Sequence, residues 1–249
     1  MSVPLRGCTA LVTGGAKGIG LAIAHRLAAD GAAIALIGRD AIALEPAARE
    51  LGARRAVADV TDHAALRAAI ASFGRVDILV NNAGAAISKP FATHTAADFD
   101  AMLAVNLLSA VVACQAVLPG MRTHGFGRIV NIASTAGLKG YAYATAYVAA
   151  KHALVGFTRA LAAETVKEGI TVNAVCPGFT DTDMVARSAA TIAAAGGRSL
   201  EEARGLLASG NPAGRLIEPE EVAAAVAFLC RPDASAMTGQ AIAVACGEV

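Results

Sequence analysis

The sequence lacks the features that mark several classes of protein. It has no run of basic residues and no acidic tail, and its formal net charge is +1, which argues against nucleic-acid binding. The first ten residues lack the apolar run of a signal peptide, so none is expected. The five cysteines are far apart, with no C-x-x-C pair and no histidine at metal spacing. We therefore expect a reduced, cytoplasmic protein without a metal site.

One uncharged stretch, residues 101–121, is long enough to span a bilayer. Four residues interrupt it, namely Asn106, Ser109, Gln115 and Pro119. Hydrophobic residues make up 55% of the chain and many of them are alanine, which indicates tightly packed helices. We expect this stretch to be a helix buried on more than one side, and we expect no association with a membrane.

Short apolar runs alternate with helical patterns along the whole chain. The runs predict strands at 9–13, 33–37, 77–80, 128–133 and 170–175, and the patterns predict helices at 18–29, 41–51, 62–73, 97–121, 145–168 and 218–229. Such alternation predicts an α/β fold, a Rossmann-like doubly wound parallel sheet with helices on both faces. No linker divides the chain, so we expect a single domain over residues 1–249. Its least regular segment, 183–215, is predicted to be a lid inserted before the last helix.

The first predicted strand runs into the glycine-rich stretch Thr13-Gly14-Gly15-Ala16-Lys17-Gly18-Ile19-Gly20. Glycines let the backbone turn sharply and approach a pyrophosphate closely. The helix start offers unpaired N–H groups and the positive end of its dipole. A glycine-rich turn is often only a turn, but its place between a strand and a helix favours nucleotide binding.

The second predicted strand ends in Ile37-Gly38-Arg39-Asp40. An acid at this point binds the 2′-hydroxyl of NAD, whereas an arginine suits the 2′-phosphate of NADP. Gly38 stands where the acid is expected, and Arg39 follows, with Lys17 as a second cation. These residues favour NADP(H). The alternative is that Arg39 is a solvated loop residue and Asp40 binds the ribose, which leaves NAD(H) possible.

All three tyrosines lie between residues 141 and 147. Only Tyr147 has a lysine, Lys151, four residues later, on the same face of a predicted helix. A nearby cation favours the phenolate and brings a tyrosine closer to a useful acid–base pKa. On spacing alone an ordinary helix pair is the better interpretation. Polar residues elsewhere weaken the interpretation as an ordinary helix pair. Ser134 and Asn81-Asn82-Ala83-Gly84 follow apolar strands, and Asn106 lies inside the uncharged helix.

Taken together, these motifs resemble those of the short-chain dehydrogenase/reductase family, from Gly7 to about Ala245. The glycine turn, the Asn-Asn-Ala-Gly stretch and Pro177-Gly178 occur in the family's order and spacing. The resemblance implies a catalytic tetrad of Asn106, Ser134, Tyr147 and Lys151. Tyr147 is then the general acid or base, Lys151 lowers its pKa and binds the nicotinamide ribose, Ser134 stabilises the alkoxide, and Asn106 holds a water that links Lys151 to solvent.

The resemblance also implies residues that contact the cofactor, and further residues are expected to contact the substrate. For supporting residues such as Asp59 and Thr182, a structural role as a helix cap stays open. The cofactor contacts are Gly14, Lys17, Gly18, Ile19, Gly20, Arg39, Asp59, Val60, Asn82, Ala83, Gly84, Tyr147, Lys151, Pro177, Gly178, Thr180 and Thr182. The substrate contacts are expected from position instead: Tyr141 and Tyr143 lie between Ser134 and Tyr147, and Met184 lies in the lid.

The apolar lining of the lid suits a hydrophobic ketone or acyl group, and the stretches 169–184 and 211–216 are similar to the 3-oxoacyl-thioester and polyketide ketoreductase branch. This implies NADP(H)-dependent interconversion of a 3-oxoacyl thioester, or a bulky hydrophobic ketone, and a secondary alcohol. Arg187, Arg198 and Arg204 could bind the phosphates of a CoA or carrier-protein arm, and the alternative is that these lid cations are simply solvated. Alternatives are an NAD-dependent 3-hydroxyacyl-CoA or secondary-alcohol dehydrogenase, a non-catalytic NADP sensor, and a sugar-nucleotide epimerase or dehydratase.

The family also implies a homotetramer with the helices at 101–121 and 147–165 in an interface. The C-terminus departs from the family, because Ala245-Cys246-Gly247-Glu248-Val249 replaces the usual Asp-Gly-Gly ending. That departure leaves the role of the tail open.

Overall fold

A computed structural model describes residues 4–249, apart from the side chain of Ala195. Its strands pair in parallel in one sheet of order β3-β2-β1-β4-β5-β6-β7. The strands are β1 (Thr9–Thr13), β2 (Ala33–Gly38), β3 (Arg54–Val57), β4 (Ile78–Asn81), β5 (Gly127–Ile132), β6 (Ile170–Pro177) and β7 (Ala241–Val244). The order is that of a doubly wound sheet, as predicted.

Helices cover both faces of the sheet. They are α1 (Gly18–Ala29), α2 (Ala41–Leu51), α3 (His63–Ser72), α4 (Ala96–Leu103), α5 (Ser109–His124), α6 (Thr145–Thr165), α7 (Asp183–Gly196), α8 (Leu200–Ser209) and α9 (Pro219–Cys230). Neighbouring residues of a strand point to opposite faces. Val12 therefore packs with Ile23 of α1 and Val226 of α9, whereas Leu11 packs with Leu66 of α3 and Val117 of α5.

Several parts of the chain differ from the elements that the sequence patterns predict, and β7 is one of them. The strand β3 was not predicted, because it begins with Arg54 and Arg55 and lies at an exposed sheet edge, where charged residues are tolerated. The predicted lid is more regular than expected, since α7 and α8 occupy most of it. Ser199 and Glu202 form a capping box at the start of α8, a signal that identifies a helix N-terminus.

The uncharged stretch does not form one continuous α-helix. A π-helical turn, Ala104–Leu108, separates α4 from α5. By length and composition alone the segment Ala96–His124 could cross a membrane, with a mean hydropathy of 2.1 in its most apolar part, but 50% of that part is buried inside the fold. It contacts α3, β4, β5 and α6, as the core helix of an α/β protein does.

Candidate active site

The predicted site residues converge at the carboxyl ends of the strands. After β1 the chain builds β2 and β3 on one side, and then crosses to build β4 on the other side of β1. Loops leaving β1 and β4 therefore diverge and leave a crevice. Ligands of open α/β sheets bind at such a switch point.

The loop after β1 is shaped so that its backbone can approach a ligand. Gly14 and Gly18 adopt left-handed conformations, with φ of +65° and +52°. At Gly20 a side chain would overlap the carbonyl oxygen of Gly14 and come within 2.5 Å of Nδ2 of Asn82. The first turn of α1 carries no acidic residue. These features fit a pyrophosphate at the N-terminus of α1.

Thr13 joins this loop to the loop after β4. Its hydroxyl accepts hydrogen bonds from the backbone N–H groups of Asn82 and Ala83, both at 3.1 Å. In return, Nδ2 of Asn82 donates to the carbonyl oxygens of Thr13 and Gly14, at 3.0 and 3.1 Å. The two loops are thus held as one unit. The contribution of Thr13 was not predicted from the sequence.

At the end of β2, Arg39 and Asp40 have different surroundings. An oxygen of Asp40 accepts hydrogen bonds from the N–H groups of Ile42 and Ala43, at 3.0 and 3.1 Å, and so caps α2. The Arg39 side chain is 82% exposed, and its Nη1 lies 3.8 Å from Oδ2 of Asp59. Hydrogen bonds from Thr61, with a smaller contribution from Arg39, lower the pKa of Asp59. Asp40 therefore acts as a helix cap, whereas Arg39 is an exposed cation at this end of the sheet.

Val60 and Ile19, two of the predicted cofactor contacts, belong partly to the hydrophobic core. The Val60 side chain is buried among the residues that pack between the sheet and α3. Ile19 packs against the core on the α1 side and is partly buried. Only their remaining exposed surface and backbone atoms are available to a ligand.

Lys151 is buried within the crevice. Its ammonium group donates a hydrogen bond to the carbonyl oxygen of Ile132 at 2.8 Å. Burial lowers the pKa of Lys151 to about 8. Lys151 and Asn106 both face Gly84: a Cβ there would lie 2.7 Å from Oδ1 of Asn106 and 3.6 Å from Nζ of Lys151. Gly84 therefore keeps open the space where the polar ends of these two side chains meet.

Asn106 lies in the π-helical turn between α4 and α5. Its Nδ2 donates hydrogen bonds to the carbonyl oxygens of Ala85 and Met102, at 2.9 and 3.0 Å, and its Oδ1 accepts one from the N–H of Ala85 at 3.3 Å. These partners satisfy a buried amide that would otherwise be costly. Single π-helical turns inside α-helices are frequent at functional sites.

Ser134 and Tyr147 face the same part of the crevice as Lys151. The Ser134 hydroxyl accepts a hydrogen bond from the N–H of Ala136 at 3.1 Å. Nζ of Lys151 lies 5.7 Å from the centre of the Tyr147 ring. Burial raises the pKa of the Tyr147 phenol, and the Ser134 hydroxyl acts in the opposite direction. Lys151 is not among the groups that shift this pKa, so the expectation that it lowers the pKa of Tyr147 stays a prediction.

A chain of buried polar side chains connects the strands under this crevice. Nδ2 of Asn81 donates to Oδ1 of Asn131 at 2.8 Å, and Nδ2 of Asn131 donates to the hydroxyl of Thr158 at 2.8 Å. These bonds link β4, β5 and α6, the elements that lead to Gly84, Ser134 and Lys151. The roles of Asn131 and Thr158 were not predicted, although a polar residue inside each apolar stretch was a visible signal.

Comparison with known proteins identifies the family. The sequence model described as short chain dehydrogenase matches residues 8–193. The chain belongs to the short-chain dehydrogenase family. It is therefore an oxidoreductase, of the class that interconverts ketones and alcohols with NAD(P).

Individual members of the family are similar over almost the whole chain. A protein named as ketoacyl reductase 1 of the granaticin polyketide synthase of Streptomyces violaceoruber is 45% identical, covering 96% of this chain and 91% of its own. A D-beta-hydroxybutyrate dehydrogenase of Cupriavidus necator is 41% identical, covering 94% and 95%. The structure of an actinorhodin polyketide ketoreductase variant with NADPH superposes with a TM-score of 0.93 at 39% identity, covering 97% of both chains.

In this short-chain dehydrogenase the loop after β6 packs against the glycine-rich loop after β1. The Thr180 hydroxyl donates to the carbonyl oxygen of Gly178 at 3.0 Å, and the Thr182 hydroxyl donates to that of Thr180 at 3.2 Å. A Cβ at Gly18 would lie 3.2 Å from the Thr182 methyl group. Thr182 thus precedes α7 without capping it through its side chain, and packs against the phosphate loop instead.

The lid also contacts the phosphate loop through charge. Nζ of Lys17 lies 3.5 Å from Oδ2 of Asp183, the first residue of α7, and both side chains are largely exposed. Among the lid arginines, Arg204 pairs with Asp181. Met184, predicted to contact the substrate, is partly buried at the start of α7.

Tyr141 and Tyr143 differ sharply in their surroundings. Tyr141 is partly buried: its hydroxyl lies 2.6 Å from that of Thr135 and donates to Glu248, and its ring packs edge-on against Phe179 at 6.0 Å. Tyr143 has a left-handed backbone, with φ of +66°, and the residue as a whole is 62% exposed. The structure therefore brings Tyr141, and not Tyr143, into the polar cluster beside the crevice. Glu248 was not predicted as a site residue, although the unusual C-terminal sequence pointed to that segment.

Proposed function

We propose that the protein is an NADP(H)-dependent ketoreductase that reduces a 3-oxoacyl thioester, or a hydrophobic ketone of similar shape, to a secondary alcohol. The observation that carries the proposal is the convergence of Asn106, Ser134, Tyr147 and Lys151 around Gly84 and the end of β5, beside the glycine-lined loop of β1. Together these residues supply a proton donor, an oxyanion donor and a cofactor cradle.

The glycine cradle fits a dinucleotide. Gly14, Gly18 and Gly20 leave no side chain between the backbone and a pyrophosphate, and Lys17 and Arg39 place positive charge at the two sides of the adenosine end. Because Asp40 is engaged as a helix cap, the exposed Arg39 is the side chain of this strand end that remains available to a ligand, which supports a 2′-phosphate. The NADPH named in the related ketoreductase structure supports the same cofactor. When bound, NADP(H) supplies the hydride that is added to the carbonyl carbon.

The side chains of this chain handle the proton. Burial raises the pKa of Tyr147, so the phenol carries its proton at neutral pH and can give it to the carbonyl oxygen as the hydride arrives. The Ser134 hydroxyl can donate a hydrogen bond to the same oxygen and stabilise its developing charge. The pKa of Lys151 is about 8, so its ammonium group is mostly protonated at neutral pH. Together with Asn106 it provides the polar path by which Tyr147 is reprotonated.

The proposal also covers the domain, the lid, the cellular location and the assembly that the resemblance implies. We propose one catalytic unit over residues 1–249, with residues 183–215 as the lid over the substrate, in a cytoplasmic homotetramer. Small exposed residues on one face of α6, Ala149, Gly156 and Ala160, would let a second helix approach closely. Gel filtration should give four times the mass of the chain, and a stable monomer contradicts the tetramer.

A second candidate is a dehydrogenase that oxidises a 3-hydroxy acid, which the D-beta-hydroxybutyrate dehydrogenase relative favours. Initial rates measured from NADPH absorbance with hydrophobic ketones and 3-oxoacyl thioesters, and from NAD(P)⁺ reduction with the matching hydroxy acids, separate the two. The proposal expects stoichiometric NADPH consumption with ketones or thioesters. Turnover confined to hydroxy acids with NAD⁺ supports the second candidate. Binding of NADPH with no net turnover indicates a sensor, or an epimerase if the substrate is isomerised while the cofactor is recycled.

A further inference from the structure

The penultimate residue, Glu248, is buried beside the proposed substrate crevice. Cys246 and Gly247 both have left-handed backbones, with φ of +47° and +85°, and they turn the chain back after β7. The turn brings the Glu248 side chain under the loops that follow β5 and β6, where it is only 3% exposed. One carboxylate oxygen, Oε2, is buried without a hydrogen-bond partner. A Cβ at Gly178 would lie 2.8 Å from that oxygen.

The other oxygen of Glu248 is paired with two side chains of the loop after Ser134. Nζ of Lys139 lies 3.0 Å from Oε1 and also donates to the backbone carbonyl oxygen of Glu248 at 3.3 Å. The Tyr141 hydroxyl donates to the same carboxylate. The Lys139 ammonium further lies 5.2 Å from the centre of the Tyr141 ring. We call Lys139, Tyr141 and Glu248 the tail cluster.

The tail cluster forms part of a wall between the reacting groups and the lid. Tyr141 follows Ser134 in the same loop, and Tyr147 is among the groups that raise the pKa of Tyr141, after burial and Glu248. On its other side Tyr141 contacts Phe179, which packs against the apolar residues of α7 and α8. A substrate group attached to the carbonyl carbon therefore has this wall as a neighbour.

We propose that Glu248 determines the charge of the substrate that this enzyme accepts. Its carboxylate neutralises Lys139, the cation of the wall, so the pair offers a substrate carboxylate no free cation, and Oε2 stays buried without a hydrogen-bond donor. The crevice therefore takes neutral ketones, esters and thioesters, and rejects 3-oxo acids whose carboxylate would lie against Glu248. Like charges brought together in a site of low dielectric repel strongly. This inference rests on the proposed function and specifies its substrate class.

The test compares 3-oxo acids with their ethyl esters, in matched pairs of several chain lengths, by the kcat/KM for NADPH consumption. Glu248→Gln keeps the shape of the side chain and removes its charge, so Lys139 becomes a free cation in the wall. The ratio of kcat/KM for the acid to that for the ester should rise by about tenfold or more. The double variant Lys139→Met/Glu248→Gln removes the cation as well and should cancel the gain. Glu220→Gln, the same change at an exposed position of α9, should leave the ratio unchanged.

If Glu248→Gln does not fold, as judged from its thermal unfolding, Lys139→Met alone tests the proposal, because it leaves Glu248 without its cation and should lower the ratio by about tenfold. The inference is overturned if the variants are active but their acid-to-ester ratio of kcat/KM is unchanged. It is also overturned if the rise in this ratio persists in Lys139→Met/Glu248→Gln. Neither result contradicts the proposed function. If none of the esters, ketones and thioesters supports NADPH consumption by the wild-type enzyme, the proposed function is contradicted, and the inference with it.

Discussion

The ammonium group of Lys151 donates a hydrogen bond to the carbonyl oxygen of Ile132 at 2.8 Å. This bond ties α6, which carries Tyr147, to the end of β5, two residues before Ser134. The relative positions of the proposed proton donor and the proposed oxyanion donor therefore depend on a buried cation. Such a cation has an effect on stability that can be measured apart from activity.

Replacing Lys151 by methionine should stabilise the fold at pH 7. Burial lowers the pKa of Lys151 to about 8, below the value of about 10.4 in an unfolded chain. At neutral pH the folded protein must therefore keep a proton that its surroundings disfavour, and the shift corresponds to about 3 kcal/mol. Lys151→Met should raise the free energy of unfolding by up to that amount, while activity is lost.

The advantage of Lys151→Met should depend on pH in a defined direction. Between pH 8 and 10.4 the unfolded state binds more protons at Lys151 than the folded state, so wild-type stability gains with rising pH relative to the variant. Urea unfolding of both proteins from pH 7 to pH 10 should show the difference shrinking as pH rises. A difference that is constant over this range contradicts a lowered pKa for Lys151.

Gly20→Ala should abolish cofactor binding and destabilise the protein. The added methyl group would overlap the carbonyl oxygen of Gly14, which is backbone and cannot move aside cheaply. Strain of this kind costs roughly 1–3 kcal/mol. Gly205→Ala is the matched control, because nothing outside its own helix backbone lies within 4 Å of its added methyl group and the residue is inside α8, where alanine should stabilise by about 0.5–1 kcal/mol. Thermal unfolding and NADPH titration measure both effects; full NADPH affinity in Gly20→Ala argues against the pyrophosphate position.

The fold was predictable wherever one local signal dominated. The strand β1 and the helix α2 have the predicted bounds, because apolar runs and glycines mark their limits. The strand β3 was missed since an edge strand needs no apolar pattern. The π-helical turn at Asn106 was missed because its sequence, Ala-Val-Asn-Leu-Leu, is that of an ordinary helix and only packing against the loop after β4 distinguishes it.

The candidate site was predictable in its residue types but not in its electrostatics. Motif spacing predicted Tyr147 and Lys151 as a pair, and the structure places them 5.7 Å apart from ammonium to ring centre. The direction of the Tyr147 pKa depends on how deeply the phenol is buried, which no spacing reveals. Glu248 was missed because its partner Lys139 lies more than a hundred residues away in the chain, and only the turn at Cys246 and Gly247 brings them together.

Arg39→Ala should change the preference for the two cofactors. An arginine contact to a phosphate is worth about 1.5–3 kcal/mol, so kcat/KM with NADPH should fall roughly tenfold or more while that with NADH changes little. Arg49→Ala is the control: its side chain is 80% exposed, much like the 82% of Arg39, but it lies at the end of α2 beside Glu45. An equal loss with both cofactors would mean that Arg39 does not read the 2′-phosphate.

The most direct test of the account is a comparison of Tyr147→Phe with Tyr143→Phe. Both changes remove a single hydroxyl group, one from the partly buried phenol beside Ser134 and Lys151 and one from an exposed ring. Single-turnover oxidation of bound NADPH by a ketone that the wild type accepts should slow by roughly 10²–10⁴-fold in Tyr147→Phe, with NADPH affinity retained, and should stay near the wild-type rate in Tyr143→Phe. Near wild-type turnover in Tyr147→Phe would contradict the proposal that this phenol delivers the proton.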